Sequence, residues 1–437
     1  MDSPAATRTA LPPLHRLPVS PVRPPHPTTL PDGTPAWLVT RYHDVRQVLG
    51  DPRITRADLH DVGTAGATAD VAANPASLFN QDGPAHRRLR ATVQRAFTPR
   101  AIAGWQPWVA AAVQQSVDAL VAAGPPADLV AAFTRPVPFA VTTRLMGLDG
   151  DGPDSLDEER LHRWTLALLA QGGAPGDGSA DGDGDANGDT SADDAADGDT
   201  SADDAADGDP DADDAEDHAE ALAEYGAFTT ELIERRRREP GDDLVSRLVQ
   251  AADHDGGIPE ESLVHLVAGL TASGNESVAG ALGNALVYLL GERAEHWPRL
   301  ADPDTAERTA ERLLHFIPLG DDEATIRRAT AAIELGGATI PADAVVAISL
   351  GSANRDPDVY PEGLDAGLDL PLAAPTLAFS AGPHYCIGAW RVRLEMRESL
   401  RRLAAALPGL RLTTPVAELA WQLGSTTRSP ARIPVDW

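Results

Sequence analysis

Cys386 is the residue of this chain whose type and setting are best suited to chemistry. It is the only cysteine among 437 residues, which excludes an intramolecular disulfide and any multi-cysteine metal centre. Its thiol comes directly before a predicted helix N-terminus, where the helix dipole and free N–H groups favour the thiolate. A thiolate binds metals, although an isolated cysteine can instead be a buried structural residue.

The residues around this cysteine suit a flat ligand. The segment FSAGPHYCIG, residues 379–388, contains Gly382 and Gly388, which allow tight turns and close approach of the backbone to a ligand. Phe379 is placed to shield one side of the sulfur from water. The surrounding pattern therefore favours metal binding over a structural role.

The elements that must position this segment are mainly helices, with a small β region. A strand at Ala36–Thr40 follows the turn signal at residues 31–33, and a strand-like patch runs from Ala332 to Ile348. An irregular stretch over residues 353–383 leads to the cysteine. Apolar spacing of three and four predicts helices over Ala101–Ala123, Asp157–Ala170, His218–Arg238, Asp242–Ala252, Glu260–Leu290 and Thr305–Phe316, and a last helix covers Ala389–Leu407.

Charge and composition exclude some functions and mark an insert. The formal charge of −30 argues against nucleic-acid binding, which relies on clustered basic residues. Residues 171–217 hold 18 acidic residues, no basic ones and no aromatic or branched aliphatic ones, so we predict a disordered insert between two helices of a single domain spanning 1–437. No signal peptide or bilayer-spanning apolar run is found, which predicts a cytoplasmic protein without a membrane partner.

Residues 379–388 match F-x-x-G-x-H-x-C-x-G, the haem-binding loop of the cytochrome P-450 family. The chain resembles the soluble bacterial class of these haem-thiolate monooxygenases over most of its length, including residues 36–52, which are similar to the family's first strand and helix. The resemblance implies the cytochrome P-450 fold and a haem b whose axial iron ligand is Cys386. It further implies cofactor contacts from Phe379, His384 and Gly388. Thiolate donation to the iron favours cleavage of the O–O bond of bound dioxygen.

The same resemblance assigns contacts to the haem propionates. Residues 82–100 resemble the haem-flanking helix, with His86 and Arg90 in its H-x-x-x-R positions. The spacing of four puts both on one helical face, able to meet one carboxylate together. Arg327 and His384 match two further propionate contacts. Each of these residues, taken alone, could instead be a solvated surface residue.

Residues 273–277, SGNES, interrupt the apolar stripe of the helix Glu260–Leu290 and resemble the family's oxygen-binding groove, A-G-x-[DE]-T. Gly274 costs a helix about 1 kcal/mol relative to alanine, so we expect a locally opened turn there. The resemblance implies that Glu276 relays protons and that Ser277 holds the water or hydroperoxide that receives them. Serine replaces the usual threonine, which leaves the hydroxyl less fixed. In the alternative, both side chains only face a water-filled crevice.

A larger departure concerns the family's E-x-x-R signature. The aligned residues are Arg312 and His315, so the acid is missing, and the later irregular stretch lacks the arginine that usually completes the triad. We expect either weaker haem retention or a replacement network that uses Glu311, Arg355 or Glu362.

The resemblance implies oxidation of a small organic molecule in secondary metabolism. Electrons would come from a separate ferredoxin-type protein, since the chain contains no flavin or nicotinamide fingerprint. A basic surface to receive that partner is predicted from Arg87, Arg88, Arg95, Arg391, Arg393, Arg397, Arg401 and Arg402, which an ordinary solvated helix face explains equally well. The alternative function is a haem-binding or ligand-binding accessory or sensor protein that has lost turnover.

Three consecutive acids, Asp321, Asp322 and Glu323, precede Arg327 in a segment that lines the pocket in similar proteins. An exposed turn explains them simply, because acids are seldom fully buried. If one points inward, a cationic or polyhydroxylated substrate would offset the cost of its desolvation.

Overall fold

The computed structural model describes residues 14–16, 18–56, 59, 74–150, 152, 154–169, 210–255, 258–320, 325–363, 367–422 and 427–437. Residues 171–209 of the predicted acidic insert lie outside this set, and so do the three acids at 321–323.

Most of the described chain is helical. The helices are α1 (Tyr42–Gly50), α2 (Gly83–Gln94), α3 (Pro99–Ala123), α4 (Pro136–Met146), α5 (Glu158–Leu169), α6 (Pro210–Arg238), α7 (Leu244–Asp255), α8 (Glu260–Glu292), α9 (Pro303–Phe316), the short α10 (Leu350–Ala353) and α11 (Ala389–Ala406). Each predicted helix is present with ends shifted by a few residues, except that α6 begins eight residues before the predicted start, within the segment assigned to the insert.

Helix α4 is not among the helices that the sequence predicts. Pro136 lies in its first turn, where the missing N–H costs no helical hydrogen bond. A π-helical segment, Val130–Thr134, directly precedes it. The prolines that punctuate the sequence here therefore start a helix.

The strands form small sheets beside the helices. The largest has the order β1 (His26–Thr29), β2 (Pro35–Val39), β8 (Val345–Ile348), β5 (Thr325–Ala329), β3 (Ile54–Thr55), with β2 and β8 parallel and the other pairs antiparallel. A hairpin joins β6 (Ile333–Leu335) to β7 (Ala338–Ile340). The remaining sheets are β4 (Ala127–Asp128) with β12 (Pro434–Asp436) and β9 (Arg411–Leu412), and β10 (Trp421–Gln422) with β11 (Ser429–Pro430).

Helix α8 crosses the largest apolar core. It packs against α4, α5 and α6 and is buried on all sides over residues 278–290, as expected of a helix with apolar residues around its whole circumference. Helix α11 packs between α3 and α9, and the 3-10 turn Gly382–His384, which precedes Cys386, contacts α1. Among the described residues, none of the helices combines the length and apolar character needed to cross a bilayer.

The helix α8 is continuous at Gly274, so the expectation of an opened turn there is wrong. The glycine has a packing role instead. A Cβ at this position would lie 2.6 Å from Nη1 of Arg391, whose guanidinium donates to the Gly274 carbonyl at 3.1 Å and to Thr142 at 2.6 Å. The glycine therefore makes room for a buried cation from α11.

Candidate active site

The cysteine segment is held by its own backbone. The N–H of Cys386 donates to the carbonyl of Phe379 at 2.9 Å, and a short 3-10 turn, Gly382–His384, fills the loop that this bond closes. Ser380 and Gly382 have φ values of 60° and 68°, in the left-handed region. The Phe379 ring is buried beneath the loop, and the guanidinium of Arg393 lies 4.5 Å from its centroid.

Gly382 allows this loop to touch α1. A Cβ on Gly382 would lie only 2.2 Å from the carbonyl oxygen of Leu49, whereas a Cβ on Gly33, also at positive φ, would meet nothing within 4 Å. Substitution of Gly33 therefore costs only the strain of the positive φ, whereas substitution of Gly382 also costs the clash with Leu49.

We predict that Gly382→Ala lowers the free energy of unfolding by about 3 kcal/mol, because the strained φ and the displaced Leu49 carbonyl both cost energy. The control Gly33→Ala carries only the φ penalty, about 1 kcal/mol. Denaturant unfolding of both variants checks this. Equal losses in the two variants would show that the contact with α1 is unimportant.

The side chain of Cys386 is exposed on one side and surrounded by protein on the others. Burial by those surroundings raises its pKa, although the N–H groups of Gly388 and Ala389 and the charges of Arg90 and Arg393 act in the opposite direction. In the protein alone, burial therefore opposes the preference for the thiolate that is expected from the helix N-terminus. A bound metal ion would remove the proton.

Gly388 leaves open space beside the sulfur. A Cβ there would meet only Sγ of Cys386, at 4.0 Å, among the described residues. The backbone at this point is thus open enough for a flat ligand to approach the sulfur closely.

A cluster of histidine and arginine side chains lies beside the loop. The rings of His86 and His384 pack with centroids 4.2 Å apart, and Nε2 of His384 lies 2.9 Å from a carboxylate oxygen of Asp82. Arg327 is 5% exposed and donates to the carbonyl of Ile326 at 2.7 Å. The cluster therefore brings together three of the four predicted propionate contacts.

Electrostatics in this cluster favour an added anion. Burial lowers the pKa of His86 to about 4, and burial followed by the charge of Arg56 lowers the pKa of Arg327. Within the described chain, Nε2 of His86 and Nε of Arg56 are buried and have no hydrogen-bond partner. Asp82 is the carboxylate whose charge raises the pKa values of His86 and Arg327. The nitrogens without partners could therefore take further carboxylates, such as those of haem propionates, as hydrogen-bond partners.

Arg90 contacts the backbone of the cysteine loop. Its Nη2 donates to the carbonyl of Tyr385 at 2.5 Å, beside the cysteine, while His86 faces His384. The two side chains therefore have different protein partners, and their joint contact with one propionate stays a prediction. Arg90 also supports the backbone next to Cys386.

Glu276 and Ser277 lie side by side on α8 but have separate partners. Glu276 is 4% exposed, and its carboxylate lies 3.2 Å from Nδ1 of His162 on α5. The hydroxyl of Ser277 donates to the carbonyl of Ser273 at 2.6 Å, within the same helix. A small cavity beside Glu276 is lined by polar groups that include Thr134, Arg135, Gln422 and Ser429.

The arginines on α11 are largely neutralised. Arg391 is 3% exposed and donates to Glu395 at 2.5 Å, so the prediction that it belongs to a basic surface is wrong. Arg393 pairs with Glu311 of α9 at 2.7 Å, and three more arginines pair with acids: Arg397, Arg401 and Arg402. Exposed residues of the predicted basic surface remain on and just after α2, namely Arg87, Arg88 and Arg95.

The residues in place of the E-x-x-R signature also have partners. Nη1 of Arg312 lies 3.2 Å from a carboxylate oxygen of Glu362, and Nδ1 of His315 lies 3.3 Å from the hydroxyl of Thr376. Of the three replacement candidates, Glu362 contacts Arg312, Glu311 contacts Arg393, and Arg355 donates to the carbonyl of Phe316 at 3.4 Å.

Sequence reasoning missed three residues of this site: Arg56, Asp82 and His162. Arg56 and Asp82 come from outside the cysteine segment and meet there through an Arg56 N–H to carboxylate bond of 2.8 Å. His162 is on an amphipathic helix with no motif around it. The unusual Asp-x-x-x-His spacing from Asp82 to His86, at the start of α2, was the one local signal available.

An exposed cysteine beside a cluster of histidines and arginines is a candidate cofactor site, and known proteins resemble this chain. A model of the cytochrome P450 family matches residues 314–403. The chain is 35% identical to mycinamicin IV hydroxylase/epoxidase of Micromonospora griseorubida, over 96% of this chain and 92% of that protein. It is 34% identical to nocardicin C N-oxygenase of Nocardia uniformis subsp. tsuyamanensis, over 93% and 91% of the two chains.

A solved structure shows the same fold. The crystal structure of HinD with NMFT and NO superposes with a TM-score of 0.77 at 32% identity, covering 95% of this chain and 93% of that one. The chain therefore belongs to the cytochrome P450 family, which confirms the predicted mainly α-helical fold with a small β region. It is a haem-dependent monooxygenase.

Proposed function

We propose that this monooxygenase binds haem b through Cys386 and oxidises a small organic molecule of secondary metabolism. The observation that carries the proposal is an exposed cysteine beside a cluster of histidines and arginines in which two buried nitrogens, His86 Nε2 and Arg56 Nε, have no hydrogen-bond partner among the described residues. The names of the two relatives, an enzyme of mycinamicin IV and one of nocardicin C, support the substrate class.

Each residue around the cofactor has a distinct proposed task. Cys386 supplies the iron ligand, and Gly388 leaves the space in which the macrocycle approaches the sulfur. Phe379 keeps water from the sulfur. The propionates are held by His86, Arg327 and His384, with Arg56 as an added donor and Arg90 supporting the cysteine backbone. When bound, the haem supplies the activation of dioxygen.

Glu276 is the proposed proton relay. Its carboxylate is buried between His162 and a small cavity that Thr134, Arg135 and Ser429 help to line, so we propose that it takes a proton from either side and passes it toward the pocket. Ser277 is proposed to hold the water or hydroperoxide that receives the proton. Its hydroxyl must first give up its hydrogen bond to the Ser273 carbonyl.

We also propose a ferredoxin-type electron donor. The exposed cations on and after α2, namely Arg87, Arg88 and Arg95, offer charge complementary to an acidic partner. The ion-paired arginines of α11 contribute less positive charge, because their acids cancel it.

A two-stage experiment tests this function. The reduced protein is first exposed to carbon monoxide, and a thiolate-type spectrum is expected. Candidate metabolites are then supplied with dioxygen and a surrogate ferredoxin and its reductase, and oxygenated product is expected. A thiolate-type spectrum without electron consumption for any ligand that shifts the haem spectrum would favour the accessory or sensor function instead.

A further inference from the structure

We propose that Arg312 and Glu362 form a charge-reversed ion pair that positions the chain leading to Cys386. In the family's E-x-x-R pattern, the first signature position of the helix is an acid, and the later loop adds an arginine; here that helix position is the base Arg312, and the loop carries the acid Glu362. The proposal rests on the proposed role of Cys386 as the iron ligand and concerns what holds that ligand in place.

The pair is located where an unpaired charge would be costly. Arg312 lies on α9 and is 5% exposed, and its guanidinium reaches a carboxylate oxygen of Glu362 at 3.2 Å and the carbonyl of Gly367 at 3.4 Å. Removing the acid would leave a buried cation with one carbonyl acceptor, and a buried ion left without its partner is strongly destabilising. Glu362 therefore fixes the loop to α9 as well as neutralising Arg312.

The last position of the E-x-x-R signature, His315, is uncharged. His315, one turn after Arg312, is buried, and burial followed by the charge of Arg312 lowers its pKa to about 4. Its ring packs against Tyr360, with centroids 4.4 Å apart. This face of α9 thus presents one cation to one acid, and the histidine contributes packing and a hydrogen bond.

A continuous chain of contacts leads from α9 to the cysteine. Nδ2 of Asn354 donates to the His315 carbonyl at 3.0 Å, and Oδ1 of Asn354 accepts from the N–H of Leu377 at 2.8 Å. Two residues later, the carbonyl of Phe379 accepts the N–H of Cys386. Loss of the Arg312 pair would loosen the start of this loop, while the Asn354 bonds hold its end.

A neighbouring contact shows that α9 is held to α11 independently. Glu311 binds Arg393 through two bonds, of 2.7 and 3.0 Å, and Arg393 covers the Phe379 ring. Glu311 therefore secures the helix that follows the cysteine, and Arg312 secures the loop that precedes it. The two adjacent residues act on opposite sides of Cys386.

A charge-swap cycle tests the pair in the haem-loaded full chain. R312E and E362R each place like charges together, and the double variant R312E/E362R restores opposite charges in the conventional order. We expect each single variant to lose haem several-fold faster to a haem-scavenging protein and to unfold at a lower temperature, and the double variant to recover most of both losses. Additive losses in the double variant, or single variants equal to wild type, would overturn the proposal.

Two further measurements keep the result interpretable. If a reversal variant does not fold, E362Q keeps the shape and removes the charge, and its haem loss and unfolding temperature replace those of E362R; wild-type values in E362Q would overturn the proposal. The matched control is the more exposed pair of Asp369, in the same loop, with Arg299 of the 3-10 helix Ala294–Ala301, and its reversal is expected to leave both readouts unchanged. Unfolding of the haem-free full chain reports the coupling even if the thiolate-type spectrum, and with it the proposed function, fails.

Discussion

Replacing Cys386 with serine is expected to abolish the thiolate-type carbon monoxide spectrum of the reduced protein completely. No other cysteine exists to take over as ligand, and a serine hydroxyl is a far poorer donor to iron than a thiolate. Haem would be held only through contacts that do not involve the sulfur, so we expect lower haem content as well. Spectra of purified protein, normalised to haem content, measure the effect.

A matched control comes from the same loop. Ser380 has a buried hydroxyl that lacks a hydrogen-bond partner among the described residues, so Ser380→Ala changes the loop without removing a bond or touching the sulfur. We expect this variant to keep the thiolate-type spectrum. A Cys386→Ser protein that also kept that spectrum would exclude the cysteine as the iron ligand.

Replacing Glu276 with glutamine is expected to lower the rate of product formation by about 10²-fold, with haem content and the carbon monoxide spectrum unchanged. The amide keeps the size of the side chain and its contact with His162, but it cannot deliver a proton. Because Glu276 is buried within α8 and away from the cysteine loop, the cofactor site stays intact. Single-turnover product formation with a surrogate ferredoxin measures the change.

The control removes an acid from the surface of the helix that carries His162. Glu159 is exposed on α5, and Glu159→Gln loses the same charge, so its rate is expected to match wild type. His162→Asn should slow product formation less than Glu276→Gln, since the cavity beside Glu276 gives the carboxylate a second route for protons. If Glu276→Gln and Glu159→Gln form product equally fast, the relay assignment is wrong.

The sequence identified the helices well because their apolar periodicity is local. Helix α8 and helix α11 are found almost to the residue, and α4 was missed because its prolines look like punctuation until their place in the first turn is known. The start of α6 was missed for a related reason. Its first residues are acidic and lack the apolar spacing on which the prediction depends.

At the site, the sequence by itself predicts the iron ligand proposed above, because the loop around Cys386 is one continuous pattern. The polar pair Glu276 and Ser277 is likewise local to one helix. Their partners are not. His162 is 114 residues from Glu276, and Arg312 is 50 residues from Glu362, so no spacing rule connects them.

Only the tertiary structure decided which charges meet and what burial does to them. The pKa of the Cys386 thiol is raised by surroundings drawn from several elements, against the local dipole that the sequence predicts. Arg391 reads as a surface cation in sequence, yet the fold buries it against Gly274 and Glu395. Periodicity tells which face of a helix is apolar, but partner and desolvation depend on what packs there, which is set by elements far away in the chain.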